Sequence, residues 1–205
     1  FLKIFFTLPV WLLRCLTFQK DTIINNQILD FQTQIFLGLQ ALQVDVLDDP
    51  RSFDSAKEIR EFMIEGLPLS SKPAMPIKTK DHLLSTEFGY LKIREYCPER
   101  TSSSSPILYF HGGGYVLGGL DSHDSALQFF AAEIGTNIFS LDYRLAPENK
   151  FPSSLQDANF ALEWLGKELN LPISEISLCG DSAGGHLSAS LSTYRAIHKF
   201  ELPFS

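Results

Sequence analysis

Apolar residues recur at helical spacing in the N-terminal third of the chain. Five of them lie three or four positions apart, with polar residues between: Ile28, Phe31, Ile35, Leu39 and Leu42. This spacing predicts one amphipathic helix. A second helix is predicted to begin at the capping-box pattern of residues 55–58 and to end at Gly66 and Pro68. Two such helices cannot enclose a core alone, so we predict that they cover another part of the chain. A lid over an active site and an ordinary structural hairpin fit this pattern equally well.

Residues 1–16 are strongly apolar, but Lys3, Pro9 and Arg14 interrupt them. The segment is too short and too charged for a membrane span, and no small-residue cleavage site of a secretory signal follows it. We predict an apolar helix docked on the rest of the protein. A membrane-surface anchor is the alternative interpretation.

From residue 81 onward the pattern changes to short strands that alternate with helices. Residues 82–86 and 90–96 alternate as a pair of half-exposed strands, and apolar runs at 107–110, 137–142 and 176–179 predict three more. Helical patterns follow each of these three runs. We therefore predict an α/β class with a mostly parallel sheet and crossover helices. The predicted division is a helical cap at 1–68, a linker at 69–80 and the α/β core at 81–205.

The last predicted strand runs directly into Gly180-Asp181-Ser182-Ala183-Gly184 and then a helical pattern. A G-x-S-x-G sequence between a strand and a helix is typical of a nucleophile elbow, in which a sharp turn exposes the serine. Glycine at both flanks suits this geometry because neighbouring Cβ atoms would clash with the adjacent strand and helix. When the G-x-S-x-G sequence is considered by itself, the alternative interpretation is a Gly- and Ser-rich turn that takes no part in catalysis.

A second glycine motif, His111-Gly112-Gly113-Gly114-Tyr115, follows the predicted strand at 107–110. Acyl transfer needs hydrogen-bond donors aimed at the oxygen that becomes negative, and a triple-glycine loop lets backbone N–H groups approach it. In an α/β-hydrolase these donors come from such a loop and from the residue after the nucleophile, here Ala183. The two motifs together predict an acyl-transfer site.

Composition excludes some functions. The chain of 205 residues has a net charge of −7, a pI near 5.2 and no basic cluster, which argues against a nucleic-acid partner. Cys15, Cys97 and Cys179 lack metal-ligand spacing and are odd in number, so we predict reduced cysteines, with Cys179 buried, and a cytoplasmic location.

Three motifs jointly resemble the hormone-sensitive-lipase group of α/β-hydrolases: HGGGY at 111–115, YRLAPE at 143–148 and GDSAGG at 180–185. The resemblance implies a carboxylic ester hydrolase that forms an acyl-serine intermediate on small-molecule esters, with no cofactor and no metal. By the same resemblance Ser182 is the nucleophile, and the N–H groups of Gly112, Gly113 and Ala183 form the oxyanion hole, with Gly114 supporting the loop. Arg144 and Glu148 are interpreted as structural, and His111 as a residue that orients the loop.

The sequence departs from this family at the general base. In this fold the triad follows the order Ser, acid, His, and after Ser182 the chain offers only His186 and His198, both on the predicted helix that starts at the serine. Neither is within reach of the hydroxyl, and His82 and His123 match no triad position. We therefore expect the triad acid and His to lie beyond this chain, as in a fragment that lacks the C-terminal part of the fold. A natural short form or a degenerate relative is the alternative interpretation. A non-catalytic small-molecule receptor similar to the gibberellin receptor is the alternative function.

Overall fold

The computed structural model describes residues 8–17, 20–24, 26–41, 56–61, 77–101 and 105–204. Its helices are α1 (Val10–Thr17), α2 (Phe31–Ala41), α3 (Leu120–Ile134), α4 (Ser153–Leu169) and α5 (Ala183–Ile197), with a 3₁₀ turn at Ile173–Glu175 and a helical segment at residues 56–61. Its strands are β1 (Ile23–Ile24), β2 (Gln27–Ile28), β3 (Lys78–Thr86), β4 (Gly89–Cys97), β5 (Ile107–Phe110), β6 (Ile138–Asp142) and β7 (Ser177–Gly180).

Strands β3 to β7 form one sheet in the order β3-β4-β6-β5-β7. Strand β4 runs antiparallel to both of its neighbours, whereas β5 is parallel to β6 and to β7, so four of the five strands share one direction. The predicted α/β class with a mostly parallel sheet and crossover helices is confirmed. Strand β3 begins at Lys78, inside the segment that the sequence analysis assigned to a linker.

The two faces of the sheet bury different side chains. Helices α4 and α5 cover one face, where Leu108 and Phe110 of β5 join a large core with residues of both helices. Helix α3 covers the other face, where Tyr109 packs with Leu127 and Ala131. Alternate residues of β5 therefore enter opposite cores, as the twofold side-chain period of a strand requires.

Helices α1 and α2 pack on each other in the N-terminal part. Leu13 is fully buried in a cluster with Phe31 and Ile35, and Arg14 binds Asp21 at 2.6 Å. Helix α2 covers most of the predicted first helix, but Ile28 lies on strand β2 instead, and Leu42 lies outside the described residues. Residues 56–61 are helical, as predicted for the start of the second helix, whose predicted end at Gly66 and Pro68 lies outside the described residues. No helix in the described ranges is long and apolar enough to span a membrane.

Strand β7 is paired with β5 on one side, and on its other side the described residues provide only a single parallel bridge, between Ser177 and Phe204. This single bridge agrees with the absence of a predicted strand after the elbow. Cys179 of β7 was predicted to be buried but is exposed. Cys179 faces the same side of the sheet as Tyr109, which is the side that α3 covers. Because α3 packs mainly on β4 and β6, it leaves Cys179 exposed.

The segment after α5 is held by a buried arginine. The Arg195 side chain is 2% exposed and donates hydrogen bonds to Asn159 Oδ1 (2.7 Å), Glu163 Oε1 (2.8 Å) and the Glu201 carbonyl (2.6 Å). Glu201 in turn accepts hydrogen bonds from the backbone N–H and hydroxyl of Ser174. This network fixes residues 198–204 against α4 and the 3₁₀ turn.

Candidate active site

Ser182 lies on the sharp turn between β7 and α5. Its φ of 49° and ψ of −116° are unusual for a residue with a side chain, and the side chain is exposed. The flanking glycines make the turn possible, since a Cβ on Gly180 would lie 2.5 Å from the Phe110 carbonyl oxygen and one on Gly184 would overlap the same atom. The sequence thus bends the chain so that the predicted nucleophile projects from the carboxyl end of β7.

Three backbone N–H groups lie on the segments that flank Ser182. Ala183 is the first residue of α5, where N–H groups have no partner within the helix, and Gly113 and Gly114 adopt φ values of 122° and 63° in the loop after β5. Among the residues that the structure describes, none accepts a hydrogen bond from these three N–H groups. They are available to a developing negative charge.

Gly112 differs from this prediction. Its N–H was expected to point into the oxyanion hole, but it donates to Asp181 Oδ1 at 2.8 Å. The orientation of a peptide N–H is set by tertiary contacts and cannot be read from a run of glycines. Of the four predicted oxyanion-hole residues, those whose N–H groups have no acceptor among the described residues are therefore Gly113, Gly114 and Ala183.

Asp181 connects the elbow to the glycine loop. Besides the Gly112 N–H, its carboxylate accepts a hydrogen bond from the Tyr109 hydroxyl at 2.7 Å and lies 3.2 Å from His123 Nε2. Partial burial alone would raise the pKa of Asp181, but the Tyr109 hydrogen bond, the His123 charge and the Gly112 N–H together lower it. Asp181 thus remains ionised at neutral pH and holds β5, α3 and the loop together.

The buried His111 side chain supports the glycine loop. The side chain is fully buried, stacks on Tyr143 with ring centroids 4.3 Å apart, and places Nδ1 2.8 Å from the Gly112 carbonyl oxygen. Because a carbonyl only accepts, we assign the proton to Nδ1. Burial lowers the pKa of His111, so the imidazole is neutral at physiological pH. This agrees with the interpretation of His111 as a residue that orients the loop.

None of the five histidines hydrogen-bonds the Ser182 hydroxyl, and within the described ranges no other side chain does. His186 Nδ1 pairs with the Tyr115 hydroxyl at 2.7 Å, and His82 Nε2 pairs with Glu95 at 2.9 Å. His198 packs against Tyr194 and Phe200, at the far end of α5. Among the described residues, no side chain is therefore hydrogen-bonded to the Ser182 hydroxyl as a general base would be.

The YRLAPE motif has structural partners. Arg144 forms a bidentate ion pair with Asp157, which is 2% exposed, and lies over the Phe88 ring. Glu148 binds Arg60, whose hydrogen bonds lower the pKa of Glu148. The two motif residues do not pair with each other.

Sequence reasoning missed four residues of this site: Arg60, Tyr109, His123 and Asp157. Tyr109 had a usable signal, since it lies on β5 two positions before His111, which directly follows that strand, and alternate residues of an extended chain face the same side. The other three come from elements far away in sequence, and their pairing depends on tertiary packing.

No group of three His, Cys, Asp or Glu side chains in the described part of the chain is arranged to hold a metal ion. A cleft of about 680 Å³ is lined by residues of the β3–β4 turn, α4 and Tyr194, and none of its lining residues belongs to the elbow or the glycine loop.

Known proteins resemble this arrangement. Residues 107–202 match the alpha/beta hydrolase fold family. Esterase LipI of Mycobacterium tuberculosis is 32% identical over 163 residues, which are 78% of this chain and 46% of that protein. The hormone-sensitive lipase of Mus musculus is 36% identical over 129 residues, which are 62% of this chain and 17% of that protein.

A solved structure, the hyperthermophilic esterase from the archaeon Pyrobaculum calidifontis, has a TM-score of 0.70 at 31% sequence identity, covering 83% of this chain and 55% of that one. The chain thus spans about half the length of esterase LipI and of the archaeal esterase. Sheet order, the elbow at Ser182, the three motifs and these matches agree, and the chain belongs to the α/β-hydrolases, in the group that contains hormone-sensitive lipase.

Proposed function

We propose that the protein hydrolyses carboxylic esters of small molecules through an acyl-serine intermediate. The observation that carries this proposal is the exposed Ser182 in a strained backbone conformation. Free N–H groups are on the next residue, Ala183, and on Gly113 and Gly114 of the loop that Asp181 binds through the Gly112 N–H. Such donors stabilise charge that develops on a carbonyl oxygen and are worth about 10²–10³ in kcat each. The similarity to proteins named esterase and carboxylesterase supports the same reaction.

The proposed reaction has two halves. Ser182 Oγ attacks the ester carbonyl carbon, its proton passes to a general base, and the carbonyl oxygen becomes negative against the three N–H groups. The base returns the proton to the departing alcohol as the carbon–oxygen bond breaks, which leaves an acyl group on Ser182. Water, deprotonated by the same base, then attacks the acyl carbon. As the carbon–Oγ bond breaks, the base returns the proton to Ser182 Oγ, which releases the carboxylic acid and restores the serine. No step of this chemistry needs a cofactor.

We further propose that the general base and its acid partner lie outside residues 1–205. Each of the five histidines has another partner or packing role, as described above, and the relatives are about twice as long as the matched region. Residues 1–205 alone are therefore expected to hydrolyse esters poorly. Removing triad members in serine proteases leaves a residual acceleration of about 10³–10⁴ over water, contributed by the oxyanion hole and binding.

We assign α1 to the cap rather than to a membrane surface, because Leu13 is buried against α2. Deletion of residues 1–16 should then leave vesicle binding unchanged, whereas loss of vesicle binding would favour a surface anchor. The three cysteines are unpaired, which suits the proposed cytoplasmic location.

The test is p-nitrophenyl butyrate hydrolysis, combined with fluorophosphonate labelling, for the protein that continues past residue 205 and for its Ser182→Ala variant. We expect turnover and labelling in the first protein only. Equal turnover in the Ser182→Ala variant would refute the proposal. Saturable ligand binding by an unlabelled protein would favour a receptor on the same fold. Parent-like turnover by residues 1–205 alone would contradict the placement of the base.

A further inference from the structure

Arg60, on the helical segment at 56–61, binds two loops of the core at once. Its Nε donates to the Val116 carbonyl at 2.6 Å, and its Nη2 donates to the Ala146 carbonyl at 2.5 Å. The two Nη groups also bind both oxygens of Glu148, at 2.6 and 2.9 Å. One guanidinium therefore joins the cap to the glycine loop and to the YRLAPE motif.

Packing and hydrogen bonds hold the Arg60 guanidinium in one position. Ala56 is fully buried and Ile59 is 8% exposed, so the segment that carries Arg60 is packed against the protein. The Arg60 side chain itself is 22% exposed. A planar fork with three nitrogens directed at fixed acceptors gives a geometry that a lysine, with one charged nitrogen, cannot reproduce.

The acceptor on the glycine loop is tightly coupled to the oxyanion donors. The N–H groups of Val116 and Leu117 both donate to the Gly113 carbonyl, at 3.0 and 2.8 Å. The Ala146 N–H donates to the Tyr115 carbonyl at 2.8 Å, so the YRLAPE segment binds the same loop. A shift of the Val116 carbonyl therefore moves the turn that begins at Gly113.

We propose that Arg60 is a positioning residue: through the Val116 and Ala146 carbonyls, it sets the position of Gly113 and Gly114 relative to Ser182. This inference rests on the proposed ester hydrolysis for its functional meaning. It makes the cap part of the catalytic apparatus, because a cap residue outside the substrate pocket controls the geometry of the oxyanion hole.

The first test is amide hydrogen exchange of residues 1–205, which needs no activity. We expect Arg60→Ala and Arg60→Lys to accelerate exchange at the Val116 and Leu117 amides about tenfold, without change in β4 and β6. Lys57→Ala is the matched control, since Lys57 lies on the same helical segment, its side chain is 73% exposed and its ion pair is with Glu61 of that segment, at 3.9 Å. Its exchange should equal that of the wild type.

Glu148→Gln separates the carbonyl contacts from the ion pair. It leaves the bonds from Arg60 to Val116 and Ala146 in place, so we expect a smaller change than in Arg60→Lys. An effect of Glu148→Gln as large as that of Arg60→Ala would overturn the proposal. Unchanged exchange at Val116 and Leu117 in both Arg60 variants, or acceleration spread evenly over the whole sheet, would overturn it as well.

The second test is kinetic and uses the protein that continues past residue 205. Arg60→Lys should lower kcat for p-nitrophenyl butyrate about tenfold with little change in KM, because misplaced oxyanion donors weaken the transition state more than the bound substrate. A rise in KM alone would contradict the positioning role. A protein whose loop exchange responds to Arg60 but which never hydrolyses esters would refute the proposed function and leave the loop contact standing.

Discussion

At the scale of single residues, the closest backbone approach in the site is that of β5 to the beginning of α5. We predict that Gly184→Ala lowers the free energy of unfolding by about 3 kcal/mol or more, because the new Cβ would overlap the Phe110 carbonyl oxygen. Gly119→Ala is the control: its φ of 162° is extended, and the nearest atom to a Cβ there is 3.6 Å away. It should change stability by less than about 1 kcal/mol. Urea unfolding measures both, and a Gly184→Ala protein of wild-type stability would contradict this packing.

The Asp181 carboxylate holds the glycine loop through the Gly112 N–H. Asp181→Ala removes the acceptor for the Gly112 N–H. In the protein that continues past residue 205, we therefore expect kcat for p-nitrophenyl butyrate to fall about 100-fold. Asp181→Asn keeps an oxygen acceptor and should lose about tenfold. Tyr109→Phe removes one donor and leaves the Gly112 contact, so its loss should be smaller still. Equal kcat values for Asp181→Ala and the wild type would show that this carboxylate does not hold the loop.

The motifs predicted the elbow well because its geometry depends on local features, namely two glycines and the strand and helix that flank them. The Gly112 error and the missed Asp181 partners have one cause. Which way a peptide N–H points, and which side chain meets a carboxylate, depends on residues such as Tyr109 and His123 that reach the site from other elements.

At the scale of elements, the hairpin of β3 and β4 is held by a charged network. Arg94 binds Asp81 at 2.8 Å and also binds Asp121 and Asp124 of α3. Lys92 lies 2.7 Å from Asp81. The hydrogen bond from Arg94 is the main reason that the pKa of Asp81 falls to about 2, with Lys92 adding to the effect.

The lowered pKa of Asp81 makes the free energy of unfolding depend on pH. A carboxyl with a lower pKa in the folded protein contributes stability above its unfolded pKa, near 3.8, and loses that contribution as pH falls through about 2. Because the Asp81 side chain is 37% exposed, solvent screening reduces the contribution to about 1 kcal/mol. Asp81→Asn should therefore destabilise the protein by that amount at pH 7 and by almost nothing near pH 2.

Urea unfolding at the two pH values measures this difference. Asp121→Asn is the matched control, because Asp121 binds the same arginine but its side chain is 75% exposed, so its effect should be below about 0.5 kcal/mol. A pH-independent effect of Asp81→Asn would contradict the ion-pair explanation.

Element types were easier to predict than their limits. Helix α2 and strands β4 to β7 follow directly from apolar spacing, and β4, β5 and β6 each bury one face or both. The start of β3 was missed because Lys78 to Lys80 are exposed and polar, and they are strand only through their register with Glu95 to Cys97 of β4. That pairing leaves no periodic signal in β3 itself.

At the scale of the whole molecule, apolar side chains are exposed beside the open side of β7. Ile197 is 71% exposed and Phe204 63%, and Phe200 and Leu202 are nearly half exposed. We predict that residues 1–205 self-associate at micromolar concentrations, because an apolar surface next to an unpaired strand edge favours association. Sedimentation velocity over a range of concentrations measures this.

The combined substitution Ile197→Lys and Phe204→Lys should give a monomer. Phe151→Lys is the control, since Phe151 is 84% exposed but precedes α4 and lies apart from this edge in the chain. Self-association that is unchanged by the double substitution, or abolished by Phe151→Lys, would assign the contact to another surface.

The buried Arg195 has a consequence for limited proteolysis. Trypsin cleaves after arginine or lysine only where the chain can enter its active-site groove. Arg195 is almost fully enclosed by α4 and the Glu201 carbonyl, whereas Lys199, four residues later, is exposed. The folded protein should thus be nicked after Lys199 well before Arg195, and the order of these two cuts reports directly on whether the end of α5 is in place.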